Sequence, residues 1–239
     1  MAIDNDTEII DFNNIDVYQL SGVMRNNPVH LHDVYKKSFK CWHETWNEFF
    51  HEDHVTNVKL ASTEFTRQDD VLALFHKGEC FAISFFKEVD WDDPTAKLDS
   101  YFSPWPEEAL NGLIQRGKKI LICSQFTVAK NFRNKKTDIA WKYILCGLVM
   151  TRFLNSDAHA MTGTMRVAKG MGKVAVSAGA IPLMTNLMCE DHQNELVDLV
   201  AFYQTEVRNN YEKNPYGKKL DEVYARRNGK LQSQLRLVA

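Results

Sequence analysis

The sequence predicts an α/β (α+β) fold, a mixed central sheet flanked by helices, and three stretches carry that prediction. The first is Lys119-Ile120-Leu121-Ile122-Cys123-Ser124-Gln125-Phe126-Thr127-Val128, an apolar, β-branched run of strand length. It passes through a basic turn into Ile139 to Leu154, whose apolar residues at 139, 143, 146, 150 and 153 recur at helical spacing. The second is a hairpin ahead of this unit, and the third a strand, small-residue helix and strand behind it. Strands alternating with helices bury a sheet between helical layers.

Taken in order, residues 1–27 are rich in Asp and Asn and run into Asn26-Asn27-Pro28, which stops any short helix before it. They read as a loosely attached arm. From His30 to Phe50, Leu31, Val34, Tyr35, Phe39, Trp42, Trp46 and Phe49 fall three or four residues apart, which predicts an amphipathic helix with an aromatic stripe. His51-Glu52-Asp53-His54 at its end is not HExxH, because the second histidine comes three residues after the first. It reads as a solvated helix terminus, so no metal site is expected.

Val71 to Phe75 and Cys80 to Val89 are apolar strands joined by His76-Lys77-Gly78-Glu79, with glycine where a positive φ is cheap. A long connection over 90–117 is punctuated by Asp92-Asp93-Pro94 and Ser103-Pro104-Trp105-Pro106, and Glu107 to Ile114 forms a short helix within it. After the central unit, His159 to Val167 reads as a strand and Ala168 to Ala178 as a helix closed by Gly179. Ile181 to Met188 reads as a strand and Glu195 to Tyr211, with Leu196, Leu199, Val200 and Tyr203, as a helix. Beyond Asn214-Pro215 the chain is highly charged and reads as a peripheral helix. The expected organisation is an arm over 1–27, one domain over 28–212 and a charged tail over 213–239.

The 239 residues, 44% hydrophobic and 25% charged, suffice for one substantial core. A formal net charge of −2 argues against a nucleic-acid-coating protein, so local basic clusters are better read as sites for small anions or acidic partners. The five cysteines form no CxxC pair and are odd in number, as expected of reduced thiols in a reducing compartment. The N-terminus lacks a signal-peptide pattern, and no run of about 18 apolar residues predicts a membrane span. A cytoplasmic location is expected.

Between the central strand and its helix lie Lys130-Asn131-Phe132-Arg133-Asn134-Lys135-Lys136, with Thr137 or Asp138 at the N-cap position. Net positive charge ahead of unpaired helix N–H groups makes this turn an anion site. With this unit in place, the chain resembles the GCN5-related N-acetyltransferase (GNAT) superfamily in its order of elements over roughly residues 30–190. In motif it is most similar to the acyl-homoserine lactone synthases and N-acyl amino acid synthases. Their Glu-x-Ser-Arg-Phe-x-Val strand pattern, followed by an aromatic–Arg pair, is matched by Ser124, Phe126, Val128, Phe132 and Arg133. Ile122 and Gln125 stand where the pattern has glutamate and arginine, and Asn134 and Lys136 replace loop glycines.

The resemblance implies an acyltransferase that moves an acyl group from a thioester to a small amine such as an amino acid. Coenzyme A or the phosphopantetheine of an acyl carrier protein would be held by Ser124, Phe126, Val128, Lys130, Arg133, Asn134, Lys135, Lys136 and Thr137, with no permanently bound cofactor. The glycine-poor loop favours the carrier protein. Amide formation needs a carbonyl-polarising donor and a route for the ammonium proton. Backbone N–H groups near Phe126 to Val128 suit the first role. Glu64, Glu79, Glu88 and His159 are candidates for the second, and Ser177 for protonating the leaving thiolate. A catalytically degenerate binding or regulatory module on the same fold is the alternative.

Overall fold

A computed structural model of the chain describes residues 12–52, 60–133, 141–189 and 195–229. Seven strands hydrogen-bond in the order β1-β2-β3-β4-β5-β7-β6: β1 (Ile15–Leu20), β2 (Asp70–His76), β3 (Glu79–Asp90), β4 (Lys119–Val128), β5 (Ala160–Arg166), β6 (Ala180–Cys189) and β7 (Glu195–Tyr203). The helices are α1 (His32–Glu52), α2 (Thr63–Thr66), α3 (Glu107–Ile114), α4 (Lys130–Arg133), α5 (Trp141–Leu154), α6 (Met171–Ser177), α7 (Gln204–Tyr211) and α8 (Gly217–Ala225). None of the described helices is long and apolar enough to cross a membrane. The chain divides into two compact units, one of residues 1–85, 125–145 and 219–239, the other of residues 86–124 and 146–218.

In the first unit, β1 and β2 pair antiparallel from Ile15 opposite His76 to Leu20 opposite Val71. The expected loose arm therefore supplies a strand, because Ile15, Val17 and Leu20 are buried despite the polar residues around them. β2 is buried along its whole length. Lys77 (φ 50°) and Gly78 (φ 77°) turn it into β3, the two left-handed residues that a tight hairpin requires. The aromatic stripe of α1 packs with Trp42 fully buried beside Phe65 and Phe85, their ring centroids 5.6 and 5.5 Å away.

The charged tail also joins this unit. Leu220, Val223 and Tyr224 of α8 are buried, and Tyr224 Oη and Arg227 Nε donate to Gln19 Oε1 at 3.1 and 2.9 Å. Asn228 clamps the edge strand. Its Oδ1 accepts the Gln19 N–H at 3.1 Å, its Nδ2 donates to the Gln19 carbonyl at 3.1 Å, and its own N–H reaches the Val17 carbonyl at 3.1 Å. Such pairing covers the exposed groups of an edge strand. Asn228→Ala loses the two side-chain bonds at a residue with φ 59°, and is expected to cost about 1–3 kcal/mol, read from the urea midpoint of unfolding.

In the second unit, β5 pairs antiparallel with β7 from Ala160 opposite Tyr203 to Arg166 opposite Val197, and β6 completes the sheet beside β7. The helix expected over Glu195–Tyr211 is thus two elements, a strand to Tyr203 and α7 after it. Val197, Leu199, Ala201 and Tyr203 alternate into a core shared with Trp91, Phe102, Trp105 and Leu113. Gly179, with φ 99°, closes α6 as expected.

Candidate functional site

The feature of the second unit that no continuous sheet requires is the parting of its two parallel strands. β4 and β5 pair at Ile120–Ala160, Leu121–Met161 and Ile122–Thr162, and the register ends there. β5 nevertheless continues, still paired with β7, to Arg166. Had the ladder gone one rung further on the same face, Ser124 would stand opposite Thr164. Burial changes at the same level: Ile120 to Ile122 and Ala160 to Thr162 are buried, whereas Cys123, Ser124 and Thr164 to Arg166 are half-buried. Gly163 sits at the parting, where an added Cβ would lie 2.6 Å from Met165 Cε and 3.5 Å from the Cys123 carbonyl oxygen. An extended amide-bearing ligand fits the chemistry of such an opening, because strand backbone recognises another strand-like chain.

Three hydroxyl groups gather here. The Thr164 hydroxyl lies 3.4 Å from Tyr101 Oη, and the buried Thr162 hydroxyl donates to the Val200 carbonyl at 3.0 Å. Burial pushes the Tyr101 phenol well above its ordinary range; a hydrogen bond to Thr164 works against this, and the nearby Cys123 thiol adds to it. The phenol therefore stays protonated at neutral pH and acts as a donor. Thr164 Oγ1 is the donor in this contact, which at 3.4 Å is long for O–H···O, so the proton of the phenol is not used by it. The Cys146 thiol on α5 is also pushed up by burial, to about 12, which keeps it an inert thiol.

The continuation of β4 belongs to the first unit. Gln125 there has φ 54°, and its Oε1 accepts the Trp42 indole N–H at 3.2 Å. Thr127 Oγ1 donates to the Gln125 carbonyl at 2.6 Å and accepts the Trp46 indole N–H at 2.9 Å. The left-handed residue interrupts the extended strand, and two tryptophans of the α1 stripe bond the Gln125–Thr127 segment. Gln125, a departure from the strand pattern, thereby gains a structural partner. Phe126 and Val128 are half-buried, and Lys130 and Arg133 are exposed. Arg133 Nε donates to the Val128 carbonyl at 2.7 Å, while Phe132 stacks on Phe81 at 4.9 Å. Asn134, Lys135, Lys136 and Thr137 lie outside the described residues, as do Asp53 and His54.

Each of the proton-transfer candidates has a partner of its own. Glu64 pairs with Arg67 at 3.0 Å in the first unit, where Glu79 accepts from Asn131 Nδ2 at 3.1 Å. In the second, Glu88 pairs at 3.0 Å with buried Arg152. His159 accepts the Lys119 N–H on Nδ1 at 3.2 Å and gives its own N–H to the Lys119 carbonyl at 2.7 Å. That is the start of both parallel strands, about 13 Å along β5 from the parting at Gly163. Ser177 donates to the Val174 carbonyl at 2.7 Å at the end of α6. Of the residues expected from the sequence, Ser124 stands at the parting. Tyr101 and Thr164 were missed; only the Thr-Gly-Thr run marks Thr164, and no motif marks Tyr101.

The sequence matches no family model and no curated protein. Solved structures share its fold. The CoA-dependent acyl-homoserine lactone synthase BjaI, with SAM and isopentyl-CoA, superposes at TM-score 0.55 and 15% identity, over 83% of this chain and 89% of its own. FeeM, an N-acyl amino acid synthase from uncultured soil microbes, superposes at 0.51 and 9%, over 85% and 97%. The acyl-homoserine lactone synthase LasI superposes at 0.50 and 14%, over 80% and 89%. The chain has the GNAT-like fold, a mixed seven-stranded sheet with flanking helices. Within that fold its likeness is to acyl-transferring synthases.

Proposed function

We propose that the chain is an N-acyltransferase that takes an acyl thioester where β4 and β5 part and passes the acyl group to a small amine such as an amino acid. The parting after Ile122 and Thr162 carries this reading. It leaves β5 from Gly163 to Arg166 beside a half-buried edge, to which the amides of a pantetheine arm pair as a strand would. The likeness to synthases that include a CoA-dependent enzyme and an N-acyl amino acid synthase supports the choice of donor and product.

In the reaction the amine attacks the thioester carbonyl, a C–N bond forms, and the C–S bond breaks to release thiol. Protonated Tyr101 donates to the carbonyl oxygen as negative charge gathers on it. Ser124 and Thr164 supply hydroxyls for orienting the arm. Since Glu64, Glu79, Glu88 and His159 are each engaged with a partner, the amine enters neutral or loses its proton to water, and the released thiolate takes a proton from solvent. Coenzyme A and acyl carrier protein present the same phosphopantetheine arm, and the basic Lys130–Lys136 segment serves either a pyrophosphate or an acidic carrier surface.

The pairing of each of these carboxylates favours a second reading, a module that binds the thioester without turnover. The test is thiol release from a panel of acyl-CoA and acyl carrier protein thioesters with amino acid acceptors. The expected result is amine-dependent release from at least one donor. A steep fall in rate between low and moderate salt with the carrier protein alone assigns it as the donor, because charge-steered docking is screened over about 8 Å at physiological ionic strength. Tight binding with no thiol release across the panel assigns the module instead.

A further inference from the structure

The turn that carries Tyr101 inverts the usual order of burial. Apolar Leu98 is 85% exposed, whereas the side chain of Asp99, the next residue, is only 8% exposed. A buried carboxylate raises the free energy of the folded chain unless it is paired and hydrogen-bonded. Asp99 is both. Its Oδ2 pairs with Lys87 Nζ on β3, and its Oδ1 accepts the Tyr101 N–H at 2.9 Å. Its carbonyl accepts the Phe102 N–H at 2.9 Å, which closes the turn around Tyr101. Lys87, Asp99 and Tyr101 all belong to the second compact unit.

Closing such a turn does not require a buried carboxylate. Asp93, which is exposed, accepts the N–H of Thr95 two residues on at 2.8 Å with no lysine beside it in that bond. Burying Asp99 against Lys87 instead fixes the turn from two sides, and it sets a charge near the phenol that has to be cancelled. We propose that Asp99 and Lys87 are positioning residues for acyl transfer: Asp99 holds Tyr101 so that its phenol is aimed at the thioester carbonyl, and Lys87 anchors Asp99 and cancels its charge. Negative charge gathering on the carbonyl oxygen then meets an aimed donor and no uncompensated carboxylate. A donor held in place beforehand needs no reorganisation as that charge develops, so its aim matters as much as its presence. This rests on the acyltransferase reading and adds to it the residues that set up its donor.

The test measures kcat and KM of the full-length protein and its variants with a thioester that the wild type turns over. Asp99→Ala should lower kcat by about 10- to 100-fold with KM within a few-fold, because the donor remains and only its aim is lost. Asp99→Asn, the conservative variant, keeps an Oδ1 acceptor for the Tyr101 N–H and should recover most of that rate. Lys87→Met leaves the carboxylate unpaired and should lose about tenfold, which Lys87→Met/Asp99→Asn, lacking both charges, should largely regain. In a Tyr101→Phe background Asp99→Ala should cost nothing further, since no donor is left to aim. Losses that multiply in Tyr101→Phe/Asp99→Ala, or an Asp99→Asn variant as slow as Asp99→Ala, overturn the assignment. Should Asp99→Ala fail to fold, the lysine variants decide, and a double variant no faster than Lys87→Met overturns it. If no thioester is turned over, the acyltransferase reading fails on its own. Fluorine NMR of fluorotyrosine-labelled protein then decides the positioning: the Tyr101 resonance, identified by its loss in Tyr101→Phe, should shift in Asp99→Ala and stay in place in Asp99→Asn, and a resonance that Asp99→Ala leaves unmoved overturns it.

Discussion

Tyr101→Phe is expected to lower the rate of acyl transfer by about 10²- to 10³-fold while leaving thioester affinity within a few-fold of wild type. That is the usual cost of losing one aligned donor to a developing oxyanion. The ring is retained, and so is its edge-on packing at 5.2 Å against Phe102, so the fold should survive. Because the folded phenol titrates above its ordinary value through burial, its donor form is complete below pH 10 and is lost only as pH rises through the raised value. The wild-type rate should therefore show no alkaline limb from this group between about pH 7 and 10. Stability follows the same sign: the contribution of the buried phenol is intact below its unfolded value near 10 and declines above it. Full activity in the folded Phe variant would remove Tyr101 from the chemistry.

How far the sequence could be read depended on whether local pattern and tertiary placement agreed. The hairpin, α3, β4, and the α6 helix with its Gly179 stop were legible because turn chemistry and periodicity pointed the same way in each. β7 was misread because Leu196, Leu199, Val200 and Tyr203 satisfy a helical template, while the buried run from Leu199 to Tyr203 fits a strand covered on both faces equally well. Its Val, Phe and Tyr content was the better arbiter. β1 was hidden by the Asp and Asn around it, and its partner Asn228 lies 209 residues from Gln19 in sequence. At the site, Ser124 was legible because a strand motif carries it. Tyr101 and Asp99 come from the irregular connection over 90–117, where no periodicity states which side chains turn inward. The carboxylate candidates were chosen by residue type, and residue type does not report that each already has a partner.

The largest stability effect is expected at Trp42. Its indole is fully buried, with ring centroids 5.5–5.7 Å from those of Phe39, Phe65 and Phe85, and its N–H is the partner of Gln125 Oε1 at 3.2 Å. Trp42→Ala removes the whole ring from a packed core, a change that typically costs about 3–5 kcal/mol. It also strips the side-chain acceptor at Gln125 of its donor in a residue already held at φ 54°, where a non-glycine residue is strained by about 1–2 kcal/mol. Trp42→Phe separates the two contributions: most of the apolar contact remains, the N–H is gone, and the expected loss is about 1–3 kcal/mol. Gln125→Gly then relieves the backbone strain and removes the unpaired acceptor, so the double variant Trp42→Phe/Gln125→Gly should recover part of the stability lost by Trp42→Phe. Urea midpoints of the four proteins measure this. Equal losses in Trp42→Phe and Trp42→Ala would mean that the hydrogen bond, and not the buried ring, holds the left-handed Gln125 of β4. A Trp42→Ala midpoint at the wild-type value would mean that neither does.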